Sequence, residues 1–113
     1  MIWCGTIVEE SLKDNRLVNG LDIVGVRISS DEQPGNRWHL YKVNVNENDI
    51  AALSKELKPK GWYMHFWSGD DIVAVFPNKL FHLKYSDKST WTDAIEYGKS
   101  LDIPGEQLDF VIE

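Results

Sequence analysis

The sequence predicts an α+β fold: a bent, mainly antiparallel sheet of about six strands in βββα-βββα order, with two helices packed on one face. Three observations point there. Six short segments are rich in β-branched and aromatic residues, two segments carry apolar residues at helical spacing, and the connections between them are short and rich in turn formers.

The first strand is read at residues 2–10 (IWCGTIVEE), with Ile2, Cys4, Thr6 and Val8 on one face and Trp3, Gly5, Ile7 and Glu9 on the other. Residues 11–20 hold the turn dipeptides Asp14-Asn15 and Asn19-Gly20, and predict a structured loop with one helical turn near Asn15–Val18. A second strand follows at residues 21–29, where the apolar run from Ile23 to Ile28 predicts burial on both faces over part of its length. Residues 30–36 (SSDEQPG) have no apolar residue and form an exposed loop. In the third strand, residues 37–45, Trp38, Leu40 and Lys42 oppose His39, Tyr41, Val43 and Val45.

Residues 46–58 predict the first helix. Asn46 or Asn48 caps it, Ile50, Leu53 and Leu57 make its apolar stripe, and Pro59 and Gly61 end it. A three-stranded meander comes next: residues 62–67, 72–76 and 80–85, joined by Ser68-Gly69-Asp70-Asp71 and Pro77-Asn78-Lys79. The second helix covers residues 90–101, capped by Ser89 or Thr90, with Trp91, Ala94, Ile95, Gly98 and Leu101 on one face. Gly98 in mid-helix predicts close packing of the helix on the sheet. A short helix begins near Pro104, and residues 109–112 form a terminal strand or tail anchored by Phe110.

Length bounds the rest. A chain of 113 residues is read as a single domain spanning 1–113, large enough to bury a core without metal or disulfide. The net charge is −6, with no run of Lys or Arg. Nucleic-acid binding depends on clustered positive charge, and so does attraction to an anionic membrane surface, so neither partner is expected. One cysteine, Cys4, excludes an internal disulfide. Residues 1–5 lack the charge and length of a signal peptide and no apolar run reaches membrane-spanning length, which together give a cytoplasmic expectation.

Two strings carry a resemblance. Gly61-Trp62-Tyr63-Met64-His65-Phe66-Trp67, continuing through Gly69-Asp70 to Phe76, is the first. Trp91 with Ala94-Ile95-Glu96-Tyr97-Gly98, then Ser100-Leu101 and Ile103-Pro104 to Gln107-Leu108-Asp109-Phe110, is the second. Together they resemble a family of small, uncharacterised single-domain prokaryotic proteins. The resemblance implies a stand-alone domain and brings no catalytic residue or cofactor with it.

No nucleophile elbow, phosphate-cradling glycine loop, dinucleotide fingerprint or local metal-ligand spacing is present, so neither cofactor nor metal is expected. A metal site would have to be assembled across strands, from His39 and His65 with Cys4 or Glu9. Glu9 and Glu10, read as strand neighbours, point to opposite faces and do not act as a pair. Asp70 and Asp71 are explained by turn chemistry. What remains is aromatic excess: five Trp, four Tyr and four Phe. The favoured reading is a non-enzymatic binding module, taking a small apolar or aromatic ligand or a protein partner through Tyr63, His65 and Trp67, with His39 and Tyr41 beside them. The alternatives are a small enzyme using His65 or His39 as general acid or base with Glu9 or Asp70, and a self-associating structural protein that forms a homodimer.

Overall fold

A computed structural model describes residues 1–112. Six strands, β1 (Trp3–Val8), β2 (Asp22–Ile28), β3 (His39–Val45), β4 (Met64–Ser68), β5 (Asp71–Phe76) and β6 (Lys79–Lys84), make one sheet in the order β2-β3-β1-β4-β5-β6. Every pairing is antiparallel. Helix α1 (Glu47–Glu56) follows β3 and helix α2 (Thr92–Ser100) follows β6, so the expected α+β class and element order hold.

Helix α1 starts where the sequence says it should. Asn46 accepts a hydrogen bond from the Asp49 amide at 2.9 Å while Asp49 accepts one from the Asn46 amide at 3.2 Å, a reciprocal capping box. Its stripe of Ile50, Leu53 and Leu57 is fully buried, each side chain contributing roughly 1.5–3 kcal/mol of hydrophobic stabilisation. Helix α2 departs from expectation at its N-terminus. Asp87 caps a 3-10 turn at Lys88–Trp91 through the Ser89 amide, and the turn runs into α2 with no side-chain cap at Trp91.

The two helices do not share a face, which corrects the sequence expectation. Ile50, Leu53 and Leu57 of α1 pack with Trp3, Ile7, Val43, Val45, Met64, Phe66, Val73 and Val75. Trp91 and Ala94 of α2 pack with Trp67, Ile72, Ala74, Phe76 and Leu83, which are the alternate residues of the same strands. The physical reason lies in β5. Ile72 to Phe76 is apolar at every position and buried on both faces, so the half of the sheet around it needs a cover on each side.

The two halves of the sheet differ in cover. At the β6 edge, Lys79 and Lys84 stand at the strand ends, as in natural sheet edges protected against further pairing. The opposite edge, β2, is exposed along its whole length on both faces except at half-buried Gly25. Burial of its apolar run, expected from the sequence, is therefore not met within one chain. Ile23, Val24, Val26 and Ile28 are 39%, 54%, 63% and 48% exposed. A bulge at Val24 shifts the register against β3 between Ile23 and Gly25.

Candidate functional site

The residues read as one aromatic platform fall on opposite faces of the sheet. His39 and Tyr41 extend the α1 face, in line with Val43 and Val45 on β3. Tyr63, His65 and Trp67 lie on the α2 face with Cys4, Ile72 and Phe76. No single surface holds all five.

The Tyr63–Trp67 face is also partly covered, by the chain's own C-terminal segment, which leaves Tyr63 and His65 half-buried. Phe110 is completely buried, with ring centroids 5.8 Å from Tyr63, 5.7 Å from His65 and 5.4 Å from Trp91. The Tyr63 hydroxyl donates to the Gln107 carbonyl, and His65 Nε2 lies 2.8 Å from the Val111 carbonyl oxygen. Burial pushes the Tyr63 phenol up from its ordinary value of 10.0. Trp67 is buried, its ring tilted 41° to that of His65 with centroids 5.5 Å apart. In this position the His65 ring ties β4 to the C-terminal segment.

His39 has a different environment, and it includes residues that strand alternation set apart. The chain leaves β1 into a 3-10 turn at Glu9–Ser11. Leu12 bridges to Leu57 at the end of α1, while the Lys13 amide donates to the Glu56 carbonyl at 2.7 Å. That pull bends the chain out of the sheet and turns both carboxylates toward β3. The reading that Glu9 and Glu10 point apart is thereby corrected.

Glu10 Oε2 lies 2.8 Å from His39 Nδ1, and Glu10 Oε1 accepts the His39 amide at 2.8 Å. The Tyr41 hydroxyl donates to Glu9 Oε1 at 2.7 Å, and Asn15 Nδ2 to Glu9 Oε2 at 3.4 Å. Burial works against the Glu10 charge, but the hydrogen bonds from the His39 ring and amide outweigh it and hold the carboxyl below 4.5. The same hydrogen bond raises His39 above 6.5, and the Glu9 bond raises Tyr41 above 10.0. One ligand atom each from Glu9, Glu10 and His39 lies within 4.8 Å of the others. Among the described residues, this set brings candidate ligand atoms together, in place of the His39, His65 and Cys4 or Glu9 combination considered from the sequence. The Cys4 thiol instead donates to Asn44 Oδ1 at 3.2 Å, and Asp70 accepts from the Ser86 amide and hydroxyl at 2.9 and 2.7 Å.

The open surface lies elsewhere, around β2. A shallow cavity of about 210 Å³ on the face away from α1 is lined by Thr6, Gly25, Val26, Arg27, Leu40 and Lys42. Next to it the β2 edge offers apolar side chains and backbone groups not bonded to β3. The apolar run from Ile23 to Ile28, which predicts burial on both faces over part of its length, instead marks this exposed edge. Among the described residues, no helix is long and apolar enough to cross a membrane. Comparisons of the chain with protein-family models, with curated proteins and with solved structures gave no match.

Proposed function

We propose that the protein is a non-enzymatic interaction module that binds a protein partner at the open edge of its sheet, with a strand of the partner adding to β2. One observation carries the reading: DIVGVRI has the composition of an interior strand, yet its side chains meet solvent on both faces. Strand addition supplies main-chain hydrogen bonds for affinity, and the alternating side chains supply specificity. The net charge of −6 supports a protein partner over nucleic acid or an anionic membrane. In the same reading the chain works in the cytoplasm, where the lone Cys4 stays reduced.

The test is a photoreactive amino acid in place of Val26, irradiated in cells of the protein's source, with His82 on the opposite edge strand substituted in parallel. A discrete protein adduct at position 26 and none at position 82 is expected. Equal labelling at both positions, or none at either, refutes the edge as a docking surface.

A second reading, general acid–base chemistry at His39, rests on the Glu10 contact that fixes the ring through Nδ1. It differs in requiring no partner.

A further inference from the structure

We infer that the partner on β2 is a second copy of this chain, added antiparallel across a two-fold axis so that Asp22 faces Arg27 of the other copy. The inference rests on the edge-docking reading above and specifies its occupant.

The bulge makes this register work. Asp22 pairs with Asn44 and Arg27 with Leu40 on β3, positions four apart, so both side chains leave the same face of the sheet. Ile23 pairs with Val43 and Val26 with Tyr41, two apart, and these share the other face. In an unbulged strand residues five or three apart would point to opposite faces. With the extra residue at Val24, a two-fold axis that sets Asp22 against Arg27 of the second copy also sets Ile23 against Val26 on the same side. The charge pair then occurs twice, once at each end of the joint, with apolar pairs between. Opposite charges directly across antiparallel strands attract, and like charges in the same place repel.

At the centre, Val24 of each copy meets Gly25 of the other. A Cβ built on Gly25 would meet only Lys42 Cβ at 3.7 Å, so the position has room for the neighbour's isopropyl group. β2 itself carries one acid and one base and has neither Lys nor Pro, two devices by which natural edges resist self-pairing. The β6 edge, with its two lysines, keeps the assembly closed at two copies.

Sedimentation equilibrium of the full chain over a concentration series tests this. The expected result is a monomer–dimer equilibrium that Arg27→Asp weakens about tenfold or more by placing two acids opposite each other, and that Asp22→Arg with Arg27→Asp brings back to within about threefold of wild type. All of these positions are solvent-exposed, so folding is retained, and circular dichroism of each variant verifies it. Gly25→Val, which fills the central space, also disfavours the dimer. A dimer indifferent to Arg27→Asp, or one that the charge swap does not restore, overturns the register. A chain that is monomeric throughout overturns the second-copy assignment. In that case an adduct at position 26 to a different protein leaves the edge reading standing, and the absence of any adduct removes both.

Discussion

Replacing Phe110 with Ala tests whether the C-terminal segment covers the aromatic face. Phe110 is fully buried among Tyr63, His65 and Trp91, in a segment with no strand or α-helical hydrogen bonding of its own to hold it. Deleting a buried Phe side chain costs about 3–5 kcal/mol, the lost transfer energy plus the cavity. With an unfolding entropy of about 2.1 cal/mol/K per residue, a chain of 113 residues loses about 13–21 °C in Tm. That is a large share of the roughly 5–15 kcal/mol by which such domains are stable. The assay is urea unfolding followed by tryptophan fluorescence, at one protein concentration and with Val26→Lys present throughout, so that self-association does not add to the apparent stability. The midpoint should fall with the slope unchanged. A loss below about 0.5 kcal/mol would mean that the segment does not seat on the sheet, since such a value belongs to surface substitutions. Tyr63, His65 and Trp67 would then face solvent, and the sequence-based choice of that face for binding would return.

Three further substitutions probe separate parts of the fold. Gly98→Ala gains about 1 kcal/mol of helix propensity, but its Cβ would lie 2.7 and 2.8 Å from the Leu108 methyl carbons and 3.2 Å from Phe76 Cε1. A net loss of about 1–2 kcal/mol is expected, relieved in a double-mutant cycle with Leu108→Ala; additivity would show that the two do not touch. Asn46→Ala removes the capping box of α1 and should cost about 1 kcal/mol in thermal unfolding; an unchanged midpoint contradicts the cap. Glu10→Gln should move the His39 titration, followed by NMR, down toward 6.5. A raised His39 contributes stability below 6.5 and loses it as pH rises through its folded value, whereas a lowered Glu10 contributes above 4.5 and loses it as pH falls through its folded value. The stability difference between wild type and Glu10→Gln should therefore be greatest between about 4.5 and 6.5 and shrink on either side. A difference that does not vary with pH would show that the ion pair does not form.

Most of the fold is legible in the sequence because it is written in local signals. The alternation of Trp3, Gly5 and Ile7 against Cys4, Thr6 and Val8 places the buried face of β1 correctly. The spacing of Ile50, Leu53 and Leu57 does the same for α1, and Asn78 takes a positive φ of 59° at the turn where Pro77-Asn78-Lys79 predicted one. What was not legible depends on contacts far apart in the chain. The side of the sheet that each helix covers is set by the packing of whole strands, although the continuous apolar run of β5 already calls for cover on both sides. Glu9 and Glu10 come together only because Leu12 is drawn to Leu57, 45 residues away by the numbering. Phe110 was recognised as an anchor, but not that its anchorage is the very face chosen as the binding surface. For β2 the local signal was read correctly as a strand that wants burial. A single chain simply does not supply the second side.

That unmet burial is measured most directly by hydrogen exchange of the β2 amides not bonded to β3, compared at equal concentration between wild type and Val26→Lys. In the dimer these amides bond to the second copy, so wild-type protein at high concentration should protect them as β1 is protected, with the protection lost on dilution or in Val26→Lys. Rapid exchange of the same amides in both proteins at every concentration would contradict the claim that β2 is an interface.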